Sequence, residues 1–247
     1  MASATAMVVW VGVMAGATAW SEARADDCNT FAQFTEGAKI TMTHYDKKGK
    51  STGSSTTTTQ SVSLIGSGRK ATLHGEMVDP KGNPIQSFDY DTTCSGDQIS
   101  VDMRAMVPQA MMRGREGFDV SFKGSNLVYP TQPVAGASLP DAMMHISFAM
   151  RDMPPGMPAR VGSSRIEFKS YNRRIVGEET VTTPAGTFKA WRIEHDSDMD
   201  SNAIIQIHTT GHGTDWYVPG LGLVKIVSSD KEGKMTATSE LTAFVTP

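Results

Sequence analysis

The stretch VTTPAGTFKAWRI, residues 181–193, sets two alternating runs on either side of Thr183-Pro184-Ala185-Gly186. Proline presets φ for a turn and glycine accepts backbone conformations that other residues avoid, so the pattern reads as a β-hairpin corner. The same punctuation recurs along the chain. Asp46-Lys47-Lys48-Gly49-Lys50, Asp79-Pro80-Lys81-Gly82-Asn83 and Asp230-Lys231-Glu232-Gly233-Lys234 each place Asp to open a tight turn and Gly to take its left-handed position. Between these corners, alternating or β-branched runs lie near 37–45, 55–65, 68–78, 84–94, 97–103, 117–123, 143–150, 163–182, 186–196, 203–210, 213–218, 222–229 and 234–244. They predict about a dozen strands. The best helix signal is short, Pro108-Gln109-Ala110-Met111-Met112-Arg113. The fold class expected is therefore all-β, mainly antiparallel, with one or two short helices.

With 247 residues the chain can bury a real core. Its net charge of -3, with both signs interspersed, supplies no basic stripe of the kind a phosphate backbone requires. Nucleic acid is excluded as an expected partner.

The N-terminus reads as an export signal. Residues 7–20, MVVWVGVMAGATAW, form an uncharged apolar run, and the small-x-small tripeptide Ala23-Arg24-Ala25 precedes Asp26-Asp27. As a helix the run reaches only about 21 Å, short of a bilayer core of about 30 Å. Residues 1–25 are thus expected to be a signal peptide and 26–247 one mature domain without a transmembrane span. The stretch MASATA departs from the pattern by lacking Lys or Arg. A lipid anchor at Cys28 is disfavoured by the Ala25-Asp26-Asp27 that precedes it.

Cys28 and Cys94 are the only cysteines. In an oxidising compartment such a pair is expected to form a disulfide, since neither C-x-x-C spacing nor neighbouring His ligands point to redox or metal chemistry.

Candidate chemistry is sparse. His208-Thr209-Thr210-Gly211-His212 is the tightest of the histidine spacings, but Thr-Thr-Gly between strands argues against the helix that would put both rings on one face. The run Asp196-Ser197-Asp198-Met199-Asp200 imitates the start of a calcium loop, yet Ser201 and Ile207 stand where Gly and Glu are needed; it reads as a solvated turn. The chain has no G-x-S-x-G, H-E-x-x-H or phosphate-binding glycine loop. No catalytic residue, metal site or cofactor is assigned.

Methionine is the compositional oddity, because nine of sixteen fall within residues 103–157. The pair Met111-Met112, the pair Met143-Met144 and the set Met150, Met153 and Met157 stand out, with Met103 ahead of them. Three readings stay open: core filling, an adaptable apolar cavity, and soft thioether ligands for copper(I). Met103, Met143, Met144, Met150, Met153 and Met157 are the cavity candidates. Arg151-Asp152-Met153-Pro154-Pro155-Gly156-Met157-Pro158 reads as a loop over an opening, since its prolines fit neither helix nor central strand.

Three stretches together support a resemblance. Cys94-Ser95-Gly96-Asp97 leads to Val101-Asp102-Met103; residues 172–188 read NRRIVGEETVTTPAGTF; and residues 216–225 read WYVPGLGLVK. In this order the chain resembles the TapB-like family of exported proteins of unknown function, which is similar to the incomplete, curved β-barrels of the LolA/LolB-like lipoprotein carriers. The loop 151–162 and Ala190, where relatives often have Cys, depart from it. The resemblance implies a strongly curved open sheet and an exported address, periplasmic or extracellular, and no catalytic residues. Gly177 and Gly186 allow sharp bends, Pro184 sets the hairpin, and Pro219-Gly220 is read as interrupting a strand that Trp216-Tyr217 starts and Gly222 resumes. A curved sheet with an apolar concave face must bury something there. The function expected is a non-enzymatic envelope protein holding an apolar small molecule, a lipid or a partner protein segment. The alternatives are an assembly module whose core fills itself and, behind it, a methionine-based copper(I) binder.

Overall fold

The computed structural model describes Cys28 and residues 31–106, 118–152, 163–202 and 206–247. Among these residues thirteen strands run β1 (Lys39–Asp46), β2 (Ser51–Ile65), β3 (Gly68–Val78), β4 (Pro84–Ser95), β5 (Gln98–Val101), β6 (Phe118–Gly124), β7 (Leu127–Pro130), β8 (Ala142–Met150), β9 (Ser163–Thr183), β10 (Gly186–Asn202), β11 (Gln206–Val218), β12 (Gly222–Asp230) and β13 (Met235–Val245). Beside them, the described residues hold short 3-10 turns such as Ala32–Phe34 and Met103–Met106.

The hairpin corners form as their residues dictate. In the first, Asp46 Oδ1 accepts the Lys48 and Lys50 amides at 2.8 and 3.0 Å while Gly49 takes φ 73°. The Asp79 and Asp230 corners repeat it, with Gly82 at 84° and Gly233 at 79°. In residues 181–193 the register pairs Thr183 with Gly186, leaving Pro184-Ala185 as a two-residue loop, with Gly186 at φ 143°. Its tip is also a contact: the Ala185 amide bonds the Leu241 carbonyl at 3.2 Å. Val181, Ala190, Val224 and Leu241 pack beneath it as one buried cluster.

All strands join one antiparallel sheet in the order β6-β8-β9-β10-β11-β12-β13-β1-β2-β3-β4-β5-β7. That order explains the curl. β6 and β7 lie at opposite edges, yet only Ser125 and Asn126 connect them, so the two edges stand at most about 11 Å apart at that corner. The connection is fastened both ways: Ser125 bonds Met143 of β8 through its amide and its hydroxyl, and Asn126 Nδ2 donates to Ser100 Oγ of β5 at 3.0 Å. The sheet is a strongly curled, open half-barrel.

Several expectations need correction. β7 falls outside the expected runs because its four residues lie between the Ser125-Asn126 corner and Pro130, too short to show a period. The described part of the run 203–210, from Gln206 on, and the run 213–218 belong to one strand, β11, with Gly211 inside it opposite Ser197; a Cβ there would overlap the Ser229 carbonyl, so close backbone approach and not a turn explains the glycine. Asp196, Asp198 and Asp200 are not a turn but lie within β10. Trp216 and Tyr217 end β11 instead of starting a strand, and Pro219-Gly220-Leu221 is the hairpin to β12, with Gly220 and Gly222 at φ 90° and 104°. Gly177 follows a bulge, since Ile193 pairs with Ile175 and Arg192 with Gly177. The expected helix at 108–113 lies outside the described residues, as do Met153 and Met157.

Candidate functional site

The N-terminal segment is strapped across the curl. Cys28 and Cys94 form the disulfide, both sulfurs buried, and Phe31 and Phe34 pack with Leu73, Tyr90 and Ile99 in a second core cluster. Beyond the bridge, the Ala32 amide bonds the Gly220 carbonyl at 2.6 Å, and Thr59 Oγ1 donates to the Gln33 carbonyl at 3.2 Å. The strap therefore joins β2–β4 on one side to the β11–β12 hairpin on the other.

Beneath it lies a cavity of about 140 Å³. Its walls come from Ile40 and Met42 of β1, Leu127 and Tyr129 of β7, Leu221 and Leu223 at the β11–β12 hairpin, and Phe31 of the strap. Residues so far apart in the sheet order meet only because the sheet curls. The polar wall is His44, whose Nδ1 and Nε2 lie 2.8 and 3.0 Å from Ser239 and Ser55 hydroxyls; burial lowers its pKa and favours the neutral ring. Tyr90 bonds Thr57 Oγ1 at 3.0 Å, and burial raises its pKa to about 12.

Beside the cavity stands a buried polar group of residues. On β9, Ile166 and Ser170 are buried at even positions, but Arg173 and Ile175 at odd ones. The switch occurs at a bulge opposite His195, where Asn172 takes φ 53°, a left-handed conformation that Asn tolerates. Arg173 is thereby turned inward to 1% exposure. Its Nη1 donates to the Val128 and Pro140 carbonyls at 3.2 and 3.0 Å, and its guanidinium lies 5.1 Å from the Tyr129 ring centre, with Tyr129 stacked on Tyr217 at 5.0 Å. His195 sits beside Ser170, Nδ1 to Oγ 3.1 Å, and beside the buried Asp215, Nε2 to Oδ2 3.6 Å. Burial works to lower the His195 pKa, but Asp215 outweighs it and holds the ring above its ordinary value. Gly213, opposite His195 in the register, leaves room for this ring, which any Cβ would overlap.

Ser170, His195 and Asp215 have the residue types of a hydrolytic triad, yet Ser170 is only 3% exposed. The remaining histidines mostly face carboxylates on the sheet surface, His208 with Asp200 at 2.8 Å and His212 with Asp196 at 2.7 Å. Among the described residues, no three His, Cys, Asp or Glu side chains are placed to hold a metal ion.

The DUF3108-like family matches residues 35–241, most of the chain and nearly all of the curled sheet. The chain belongs to this family. Two solved structures share its fold: a candidate exported protein with a YmcC-like fold from Bacteroides fragilis, 22% identical with a TM-score of 0.72, and a candidate lipoprotein from Parabacteroides distasonis, 21% identical with a TM-score of 0.73. In each case the likeness covers 87% of this chain and 98% of the other. No curated protein matches the chain. No helix among the described residues is long and apolar enough to cross a membrane.

Within this family fold the methionines scatter. Met103 and Met144 are buried in the first core cluster with Ile146, Phe148 and Ile175; Met143 is 37% exposed, and Met150 ends β8 half-buried. Among the described residues, the methionine in the cavity wall is Met42, outside the dense stretch. Tyr217 lies in a stretch that carries the family resemblance, but nothing local marks its ring as lining a cavity, and Arg173 is hidden by the bulge that turns it inward.

Proposed function

We propose that this chain is an exported cell-envelope protein without catalytic activity, whose half-barrel holds the apolar part of a ligand or of a partner segment. Residues 1–25 serve as its leader and 26–247 as its mature domain, in the periplasm or outside the cell. The observation that carries the reading is the cavity under the disulfide-tied strap. The likeness to a candidate exported protein and a candidate lipoprotein supports the address.

Volume narrows the occupant. About 140 Å³ is close to the roughly 150 Å³ apolar cavity that holds a benzene, and below the roughly 300–1,000 Å³ of sites that enclose whole ligands. The cavity therefore takes an anchoring group, such as one side chain of a partner or the end of an acyl chain, with the remainder outside. Methyl-detected NMR with ethylbenzene tests this: the Met42 methyl signal should shift on titration, and Ile40→Trp, which fills the space, should abolish the shift. A folded protein whose Met42 signal stays fixed at saturating ethylbenzene would instead be the self-filled assembly module.

A further inference from the structure

The polar residues beside the cavity have more hydrogen-bonding capacity than the described residues satisfy. Arg173 Nε and Nη2, the Tyr217 hydroxyl and Asp215 Oδ1 are shielded from solvent and without a well-formed partner there, and the Tyr129 hydroxyl, which the Arg173 guanidinium approaches as a donor, finds no acceptor for its own proton. Tyr129 and Tyr217 are 3% and 2% exposed, and burial raises the pKa of both, so each hydroxyl keeps its proton to donate. Buried polar atoms are nearly always paired, and leaving this many unpaired would cost a large share of a domain's stability margin. The surrounding structure nevertheless goes to lengths to place them: a bulge with Asn172 at positive φ turns Arg173 in, and Gly213 is left without a side chain so that His195 can sit against Asp215.

We propose that this group is the polar half of the binding site, taking the carbonyl oxygen of an ester or amide whose apolar neighbour occupies the cavity. The proposal rests on the cavity binding an apolar group, as argued above. Tyr129 and Tyr217 connect the two halves, since both line the cavity and neither hydroxyl donates to an acceptor among the described residues. The available groups are mostly donors, from the guanidinium and the two phenols, which calls for an acceptor. Charge selects an uncharged one. Asp215, whose ion partner is His195, already places a buried carboxylate in the group, and a ligand carboxylate would set a second one beside it, whereas a carbonyl adds no charge.

Three probes of similar shape separate the possibilities: ethylbenzene, acetophenone and benzoate, each titrated against the Met42 methyl signal near pH 8. Acetophenone is expected to bind more tightly than ethylbenzene although water retains it better. Tyr129→Phe and Tyr217→Phe keep the rings and should each weaken acetophenone by about fivefold, the worth of one hydrogen bond, while ethylbenzene changes by less than about twofold. Acetophenone binding no tighter than ethylbenzene, or a Tyr→Phe loss shared equally by both, would overturn the proposal while the apolar reading stands. Tighter binding of benzoate than of acetophenone would overturn it in favour of an anion site. Failure of ethylbenzene itself would remove the apolar reading beneath it. The comparison of probes on the unaltered protein stands even where a variant does not fold.

Discussion

Gly213→Ala should be far more costly than its position in an open strand suggests, and the reason can be isolated. A glycine in a strand interior is ordinarily less stable than alanine by about 0.5–1 kcal/mol, so the change should help. Here the added Cβ would overlap the His195 ring. The ring must leave, giving up Ser170 and stranding Asp215, which is 2% exposed. Breaking one partner from a buried pair costs about 3–5 kcal/mol, so Gly213→Ala and His195→Ala should each lose roughly 3 kcal/mol. In the double variant no ring remains to be displaced. Its loss should match His195→Ala alone, a coupling of about 3 kcal/mol. Urea unfolding followed by the fluorescence of Trp191 and Trp216 measures all four proteins. Additive losses, with coupling below about 0.5 kcal/mol, would refute the claim that Gly213 exists to seat His195.

Replacing both cysteines by serine opens a loop of 66 residues' separation and should lower the unfolding free energy by about 4 kcal/mol, read from the same urea curves; a loss under about 1 kcal/mol would mean the strap holds without the bridge. Gly186→Val should cost about 1–3 kcal/mol, because its Cβ has room beside Phe188 but φ 143° strains a β-branched residue; an unchanged melting temperature would contradict this. Met144→Gln should cost about 1–3 kcal/mol by burying an amide among Ile146 and Phe148, whereas Met143→Gln at the exposed neighbouring position should stay within about 0.5 kcal/mol; thermal melts of the pair decide it. His44 has a folded pKa below 6.5, so as pH falls through 6.5 the unfolded chain takes up a proton that the folded chain refuses, and stability drops. His44→Gln should flatten that drop in unfolding curves taken between pH 7.5 and 5.5, and an unchanged slope would show that His44 is not its source.

What could be read along the chain was whatever depends on neighbours in sequence. The Asp46, Asp79 and Asp230 corners, the Thr183-Pro184-Ala185-Gly186 turn and most strands follow from local turn chemistry and period-two patterning, and these suffice for an antiparallel β class. Two cysteines after a leader-like segment imply one bridge, and the structure has it. The errors fall where local cues are ambiguous: four residues at β7 are too few for a period, and Gly211 and Gly213 mark close approaches inside β11 but look like turn residues.

The site was hidden for a different reason. A single bulge at Asn172 reverses which side of β9 faces inward, so an Arg in an alternating polar run becomes a buried cation, and alternation alone assigns it to solvent. The cavity needs Phe31, Met42, Tyr129 and Leu221, residues from separate regions of the chain, and only the strand order brings them together. By itself the sequence determined most of the strands, the corners and the disulfide, because each is decided by residue types and short spacings. The tertiary structure alone decided the curl, which follows from β6 and β7 lying at opposite edges two residues apart in the chain, and with it the cavity and its polar wall.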